Sequence, residues 1–262
     1  MKFTKMQGLG NDYIYLDATK QLPSGLPELS RRLSDRHFGV GADGLICICP
    51  SDQADFRMLM FNADGSEGEM CGNGIRCLGK FVYDKGLTAR TELVIETRAG
   101  MRTLRLHLAG EKVDFVTVDM GIPQVESPRT ITILGGSRTL TPVDVGNPHA
   151  VVFQDGIDTL DLARLGPEFE HHPSFPNRTN TEFVEVLDRT RLRMRVWERG
   201  SGETLACGTG ACAALAASVS AGVCERQAAV QLLGGELKLD WSQADGHIYM
   251  TGPAVTVFNG EY

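Results

Sequence analysis

An internal repeat constrains this chain more than any other feature of its sequence. Cys71-Gly72-Asn73-Gly74 recurs 136 positions later as Cys207-Gly208-Thr209-Gly210, and Gly10-Asn11 recurs at the same spacing as Gly146-Asn147. Motifs that share one ungapped register over such a length of chain indicate a duplicated structural unit. We therefore predict two halves with the same fold.

The fold class that we predict is α+β. In each half a strand-like run leads through a glycine-rich turn to the repeated cysteine, and a run of small and apolar residues after the cysteine predicts a helix of about a dozen residues. Gly86 and Gly222 are placed to end the two helices. The runs are residues 56–62 and 192–198 for the strands, and 75–85 and 211–221 for the helices.

Two β-hairpins are predicted after the helices, 92–97 with 101–108 and 229–232 with 236–241, the second register slipping by one residue. Each half is then a mostly antiparallel β-sheet or barrel wrapped around a central helix. We expect a pseudo-two-fold axis to relate the halves and the active site to lie in the cleft between them. The predicted boundaries are 1–118 for the half with Cys71, joined by the final strand 253–262, and 119–252 for the half with Cys207.

Cys71 and Cys207 are each expected at a helix N-terminus. The unpaired N–H groups and partial positive charge there bind carboxylates and lower the pKa of a thiol. The neighbouring glycines let the backbone approach a ligand closely. Two such termini acting on one α-carbon would place a sulfur on each of its faces. That arrangement inverts a stereocentre by two-base proton transfer, with no cofactor.

The remaining cysteines are interpreted as core or structural thiols. Seven cysteines are an odd number in a chain with no apparent export signal, which argues against a disulfide framework. The spacings also lack the paired, short-spaced signature of structural zinc, so no metal site is predicted. These five residues are Cys47, Cys49, Cys77, Cys212 and Cys224.

Composition argues against two classes of partner. No run approaches the ~20 apolar residues of a membrane span, and a formal charge of −7 argues against nucleic acid. Alternating arginines at 189, 191, 193 and 195 are interpreted as the solvated face of a strand rather than a nucleic-acid groove. The N-terminus has the pattern of a strand and not of a secretion signal, which places the protein in the cytoplasm.

The sequence resembles the diaminopimelate epimerases nearly from end to end. The segments that carry the resemblance are Gly8-Leu9-Gly10-Asn11-Asp12, Arg36-His37-Phe38-Gly39-Val40-Gly41-Ala42-Asp43-Gly44, Asn62-Ala63-Asp64-Gly65-Ser66-Glu67, Met70-Cys71-Gly72-Asn73-Gly74-Ile75-Arg76-Cys77, Gly146-Asn147-Pro148-His149, Glu198-Arg199-Gly200-Ser201-Gly202-Glu203-Thr204 and Ala206-Cys207-Gly208-Thr209-Gly210. The resemblance implies a cofactor-independent homodimeric isomerase that epimerises LL-2,6-diaminoheptanedioate to the meso isomer, in lysine and cell-wall precursor synthesis.

The resemblance also implies the roles of individual residues. Cys71 and Cys207 would be the two bases, and His149 and Glu198 would support catalysis. Arg199 suits the distal carboxylate of the substrate, and Glu198 an ammonium group. The substrate-binding set implied is Asn11, Asn62, Gly72, Asn73, Asn147, Asn180, Glu198, Arg199, Gly208 and Thr209.

This chain departs from the family pattern at Gly44, a position at which some relatives carry a side-chain amide. Gly44 lies 136 positions before Asn180 and so matches it across the repeat. Other functions also stay open. The first is a related cofactor-independent racemase of a single amino acid, of the histidine or proline type, although proline racemases place His where this chain has Asn73. The second is a non-catalytic amino-acid-binding module. A thiol redox protein is disfavoured because no Cys-x-x-Cys pair is present.

Overall fold

The computed structural model describes all residues from 1 to 262. The helices are α1 Leu26–Ser34, α2 Gly72–Asp84, α3 Leu162–Glu170 and α4 Gly208–Ser220. The strands are β1 Lys2–Gly8, β2 Asn11–Asp17, β3 Gly44–Cys49, β4 Phe56–Asn62, β5 Glu67–Gly68, β6 Glu92–Thr97, β7 Gly100–Ala109, β8 Lys112–Asp119, β9 Gln124–Val125, β10 Arg129–Ile133, β11 Gly136–Asp144, β12 Pro148–Phe153, β13 Asn180–Asp188, β14 Arg191–Glu198, β15 Gly202–Glu203, β16 Gln227–Leu232, β17 Gly235–Trp241, β18 Ile248–Pro253 and β19 Val255–Glu261. None of the four helices has the length and apolar character that crossing a membrane requires.

The chain divides into two compact units with the same order of elements. The first unit is residues 1–118 with 251–262, and the second is residues 119–250. The bounds of α2 and α4 differ by 136 at both ends, and so do those of α1 and α3. The predicted α+β class is confirmed, and the sheets are mostly antiparallel.

In the first unit, β1 pairs antiparallel with β2 and β19, and β2 pairs parallel with β3. The sheet continues through antiparallel β4, parallel β6 and the antiparallel strands β7 and β8. Helix α2 packs against β1, β2 and β7. A cluster that includes Leu33, Leu45, Cys47 and Cys49 forms an apolar core between α1 and the neighbouring strands. This burial agrees with the interpretation of Cys47 and Cys49 as core residues.

The second unit repeats these pairings around α4. β12 pairs parallel with β13, β13 antiparallel with β14, and β14 parallel with β16. Helix α4 is surrounded by strands β9, β11 to β14, β16 and β17, and its residues from Gly210 to Ser218 are all buried. A helix packed on every side needs small side chains, which explains the alanine-rich sequence. The prediction of a central helix is confirmed.

Both central helices begin three residues before the predicted starts. Cys71 has extended backbone angles, φ −129° and ψ 120°, and its sulfur accepts a hydrogen bond from the Gly74 N–H. Cys207 does the same with the Gly210 N–H, at φ −120° and ψ 113°. The residue after each N-cap is already helical. A glycine is disfavoured inside a helix, so the periodic apolar signal started too late to reveal these first turns.

Helices α1 and α3 were not predicted from the sequence. Each is only nine residues long, which is below the length at which an isolated helix is stable, so tertiary packing determines it. Leu33 of α1 and Phe169 of α3 are fully buried in the cores of their units. The two helices occupy positions that differ by 136 residues, so the spacing of the repeat could have indicated that they match.

The expected solvated arginine face is partly wrong. Arg189 lies before β14 rather than in it. The side chain of Arg195 is only 12% exposed, because its Nε donates to Glu203 Oε1 at 2.7 Å and its Nη1 donates to the Ile157 carbonyl at 2.6 Å. An arginine whose donors are all turned to fixed acceptors serves the packing of its unit, and charge alternation in sequence does not reveal those acceptors.

Gly44 tests how tightly the first unit is packed. A Cβ there would lie 2.2 Å from the Phe61 carbonyl oxygen, whereas at Gly68 its one close contact would be with the flexible end of Met60. We expect Gly44→Ala to lower the free energy of unfolding by about 2–3 kcal/mol, because the backbone of β4 must shift. Gly68→Ala is the control and should cost less than about 1 kcal/mol. Urea denaturation of both variants checks this, and equal losses would contradict it.

Candidate active site

Cys71 lies at the start of α2 and contacts Asn11. Its thiol donates to Asn11 Oδ1 at 3.1 Å, and its sulfur accepts from the Gly74 N–H at 3.3 Å. Asn11 opens β2, so the first strand pair and the first turn of α2 meet at this sulfur. The side chain is partly exposed. Cys71 and Asn11, both predicted as site residues, are therefore brought together.

A charged network fixes the side chain of Asn11. Its amide nitrogen donates to Asp43 Oδ2 at 2.8 Å, and the Asp12 N–H donates to the same oxygen at 3.1 Å. Arg36 bridges Asp12 and Asp43 at 3.0 and 2.9 Å. Burial raises the pKa of Asp12, but hydrogen bonds from Arg36 and Lys5 outweigh it and hold that pKa below its usual range. The carbonyl end of Asn11 is thus directed at the thiol.

Asn73 is a buried residue of the first turn of α2. Its Oδ1 accepts from Arg76 Nη2 at 2.8 Å. The Arg76 guanidinium is itself fully buried and donates to the carbonyls of Gly72, at 3.1 Å, and Pro253, at 3.2 Å. Arg76 therefore ties the first turn of α2 to the end of β18. Contact of Asn73 with substrate stays a prediction.

Asn62 ends β4 at the turn that leads to Cys71. Its side-chain amide nitrogen donates to Ser66 Oγ at 3.0 Å, and its backbone carbonyl accepts from Ser30 Oγ of α1 at 2.8 Å. The side chain is partly exposed. The structure thus positions Asn62 from α1 and from its own turn, and its role in binding stays a prediction.

Cys207 repeats the cap in the second unit, in a drier environment. Its sulfur accepts from the Gly210 N–H at 3.4 Å and lies 3.5 Å from Thr209 Oγ1. Burial raises the pKa of the thiol well above its ordinary value, and the carboxylates of Glu198 and Glu182 raise it further. The hydrogen bonds from Thr209 and Gly210 offset only part of this shift. The expectation that the helix terminus lowers the pKa of this thiol is wrong, because desolvation and two nearby negative charges outweigh the helix dipole.

Glu198 ends β14 and hydrogen-bonds to Cys207. Burial raises the pKa of its carboxyl, whereas hydrogen bonds from Thr204 and Cys207 lower it in part. A carboxyl with a raised pKa is a better proton acceptor for a thiol than an ordinary one. The structure thus brings together two of the residues that were expected to take part in catalysis.

His149 lies on β12 between two other side chains. Its Nδ1 is 2.7 Å from Glu182 Oε1 and its Nε2 is 3.0 Å from Asn147 Oδ1. The Asn147 amide nitrogen donates to Thr209 Oγ1 at 3.4 Å. His149 therefore reaches Cys207 only through Asn147 and Thr209, and it has no direct contact with the sulfur.

Asn180 and Arg199 are joined through the backbone. Asn180 Oδ1 accepts from the Arg199 N–H at 2.9 Å, and its Nδ2 donates to the Pro148 carbonyl at 3.1 Å. The Arg199 side chain is exposed, and its Nη1 donates to the Asn177 carbonyl at 3.1 Å. Asn180 thus holds the turn that carries Arg199.

In the first unit a backbone carbonyl accepts the hydrogen bond that the Asn180 side chain accepts in the second unit. Ala63, which matches Arg199 across the repeat, donates its N–H to the Asp43 carbonyl at 2.9 Å. Gly44 has no room for a side chain because of the Phe61 carbonyl. The absence of an amide at Gly44 is therefore compensated locally.

Three acidic residues of these networks were not predicted from the sequence. Glu182 contacts His149, and Asp43 contacts Asn11. Glu170 of α3 accepts from Trp197 Nε1 at 2.8 Å, the Gly200 N–H at 3.0 Å and Arg178 at 3.2 Å. Both Glu170 and Glu182 are buried, and a buried acid needs a partner, but the polar neighbours of Glu170 in sequence give no sign of its burial.

No group of three or more His, Cys, Asp and Glu side chains is arranged to hold a metal ion. The other cysteines are buried thiols. Burial raises the pKa of Cys47 to about 12 and that of Cys77 to about 11, so both stay protonated at neutral pH.

Comparisons of structure show the fold. The structure of a probable proline racemase from Agrobacterium radiobacter K84 is similar with a TM-score of 0.76 at 17% identity, over 100% of this chain and 92% of the other. A PhzF-family phenazine biosynthesis protein from Bacillus anthracis has a TM-score of 0.77 at 16% identity, over 100% and 98% of the two chains. These likenesses support the doubled α+β architecture.

Comparisons of sequence show the family. The family model for diaminopimelate epimerase matches residues 3–126 and 141–257. The chain is 54% identical to a diaminopimelate epimerase from Methanococcus maripaludis strain C6, over 100% of this chain and 99% of the relative. It is 52% identical to one from Desulfovibrio desulfuricans, over 100% and 98%. The chain belongs to the diaminopimelate epimerase family.

Proposed function

We propose that this protein is a cofactor-independent isomerase that converts LL-2,6-diaminoheptanedioate to the meso isomer, with Cys71 and Cys207 as the two bases. The observation that carries the proposal is the duplicated cap, in which a cysteine sulfur accepts a backbone N–H at the start of a central helix in each unit. Full-length similarity to proteins named diaminopimelate epimerase supports the choice of substrate.

The chemistry conserves protons. In one direction the Cys71 thiolate takes the α-proton, and the Cys207 thiol gives its proton to the opposite face of the same carbon. The enzyme then holds a Cys71 thiol and a Cys207 thiolate, which is the starting state for the reverse reaction. The substrate carboxylate develops negative charge as the α-proton leaves, and the backbone N–H groups at a helix N-terminus stabilise that charge.

Cys207 starts as the thiol, because burial and two carboxylates raise its pKa. When Cys207 must act as the base, Cys71 is the thiol that gives its proton to the opposite face, as its hydrogen bond to Asn11 Oδ1 requires. Glu198 is then the group placed to receive the Cys207 proton, because its carboxyl lies beside that thiol. Glu198 is then a carboxylic acid and Cys207 a thiolate, and no net charge is created in the buried site. His149 supports Cys207 through Asn147 and Thr209.

Arg199 binds the distal carboxylate of the substrate in this proposal. Its guanidinium is exposed and keeps free donors beyond its contact with the Asn177 carbonyl, so it can take a carboxylate in a bidentate fashion. The remaining substrate-binding set is that of the sequence analysis, with amide groups and the N–H groups of both helix termini as donors. We also propose a cytoplasmic homodimer, which rests on the family resemblance.

Replacing either catalytic cysteine should abolish epimerisation. We expect Cys71→Ala and Cys207→Ala each to lower kcat by at least ~10²–10⁴-fold, because one face of the α-carbon loses its proton carrier. The measurement is NMR of LL-diaminoheptanedioate turnover and α-proton exchange in deuterated water, with histidine and proline as comparison substrates. Cys224→Ser is the control and should keep parent activity. Normal turnover by either alanine variant would rule out the two-base mechanism, and exchange without epimerisation in the parent would favour a single-base enzyme.

Arg199→Met should impair turnover far more than folding. We expect kcat/KM for diaminoheptanedioate to fall roughly 10²-fold, because a bidentate charge-assisted contact is lost while the aliphatic stem is kept. Arg189→Met, a similarly exposed arginine away from the proposed site, is the control. Parent kinetics for Arg199→Met at an unchanged thermal midpoint would remove Arg199 from the binding set.

Removing the charge of Glu198 should make the Cys207 thiol more reactive and should slow epimerisation. Glu198 raises the pKa of Cys207, so Glu198→Gln lowers that pKa and increases the thiolate fraction at pH 8. We expect iodoacetamide to alkylate Cys207 several-fold faster in the variant while epimerisation slows by ~10²-fold or more. Peptide mapping gives both alkylation rates, and Cys71 in the same sample is the internal control. Slower alkylation of Cys207 would show that Glu198 instead promotes the thiolate in the resting enzyme.

A further inference from the structure

Asn11 and Asn147 match across the repeat, yet their amides point in opposite directions. Asn11 turns its carbonyl oxygen to the Cys71 thiol, because its amino group is held by Asp43. Asn147 turns its carbonyl to His149 Nε2 and its amino group to Thr209 Oγ1, 3.4 Å away. Cys71 therefore contacts the carbonyl end of Asn11 directly, whereas the amino end of Asn147 reaches Cys207 only through Thr209.

The orientation of Asn11 is determined by chemistry, since a carboxylate such as Asp43 can only accept. The orientation of Asn147 is not determined in this way, because His149 Nε2 can either donate or accept. The group that decides is the one on the other ring nitrogen, Glu182, whose Oε1 lies 2.7 Å from Nδ1. The side chains of Glu182 and His149 both have 0% exposure.

In the structure it is the Asn147 oxygen that faces the ring. Asn147 Oδ1 lies 3.0 Å from His149 Nε2, and an amide oxygen can only accept, so Nε2 carries a proton and donates it. Nδ1 and Glu182 Oε1, 2.7 Å apart, then share one proton between them. Glu182 Oε2 has no hydrogen-bond partner, so Oε1 is the oxygen through which Glu182 holds the ring.

We propose that Glu182 is a positioning residue for Cys207, acting through the tautomer of His149. The Nε2–H donates to Asn147 Oδ1, the Asn147 amino group donates to Thr209 Oγ1, and the Thr209 hydroxyl is left to donate to the Cys207 sulfur. Donors that point one way along such a chain strengthen one another. They stabilise the thiolate that forms each time Cys207 gives up its proton, so this inference rests on the proposed two-base function.

The repeat contains its own contrast to Glu182. The positions 136 residues before Glu182 and His149 are Ile46 and Tyr13. A Cβ on Gly74 would lie 2.8 Å from Ile46 Cδ1, and one on Gly210 would lie 2.7 Å from Glu182 Oε1. The same place beneath each helix terminus thus holds a methyl group in one unit and a carboxyl in the other.

The first arm of the test reads the tautomer without substrate. Full-length protein with ¹⁵N-labelled histidine gives the His149 ring signals, assigned by their loss in His149→Asn. We expect Nε2 to carry a proton in the parent at neutral pH. In Glu182→Gln the amide can donate to Nδ1, so Nε2–H should persist. In Glu182→Leu nothing holds Nδ1, and a mixture of tautomers should appear.

The second arm reads catalysis. We expect Glu182→Leu to lower kcat roughly 10- to 100-fold, the value of a hydrogen bond to a charged group, with KM changed less than about threefold. Glu182→Gln should keep kcat within about threefold. Ile46→Val, a core change at the matching position of the other unit, is the control for packing and should keep parent kinetics, with thermal midpoints measured for all variants.

Three results would overturn the proposal: parent-like kcat in Glu182→Leu, a proton on Nδ1 alone in the parent, or a loss in Glu182→Gln as large as in Glu182→Leu although Nε2–H persists. Failure of the proposed function looks different. The parent enzyme would then not epimerise diaminoheptanedioate at all, while the ¹⁵N signals would still report whether Glu182 sets the His149 tautomer.

Discussion

The hydrogen bond from a backbone N–H to a cysteine sulfur at the start of a buried helix is the interaction on which the rest of the structure depends. A helix N-terminus has unsatisfied donors, and Cys71 and Cys207 satisfy one each while staying extended in backbone conformation. Holding that terminus in place requires the helix behind it to be packed by strands, as α4 is on every side. The sheets of each unit therefore serve to present one sulfur and its neighbouring N–H groups in a fixed position.

The two cysteine N-caps have the same geometry, but the side chains beneath them carry different charges. Cys207 lies near two acids, Glu182 and Glu198, which together with burial raise the pKa of its thiol. The matching positions in the first unit are Ile46 and Asn62, neither of which carries a charge. A two-base epimerase needs one thiol protonated when the other is not, and unequal surroundings give the two sulfurs different protonation preferences. The repeat gives the two caps the same geometry, and the different residues at matching positions give them different electrostatic surroundings.

The sequence was enough to predict features repeated at a fixed spacing, and it was not enough for those that depend on burial. The strand Phe56–Asn62 and both central helices follow from local pattern and the offset of 136. Short helix α1 does not, because packing rather than propensity stabilises nine residues. The sign of the Cys207 pKa shift was wrong for a related reason. A helix N-terminus can be predicted from the sequence, whereas the carboxyl of Glu182 reaches the cap only because α4 packs against β13. The binding roles of Asn62, Asn73 and Arg199 stay predictions.

The pair Gly44 and Asn180 shows how the two units keep one backbone while their side chains diverge. The N–H after β4 is held by the Asp43 carbonyl, and the equivalent N–H after β14 is held by the Asn180 side chain. The turn of the first unit carries Ala63 at this position, and the turn of the second unit carries Arg199. Because a backbone N–H must be satisfied in either case, the turn can keep its shape when the group that satisfies it changes. The unit that uses a side chain for this purpose also carries the guanidinium of Arg199. The exposed charge and the group that supports its turn therefore differ between the two units at the same two positions of the repeat.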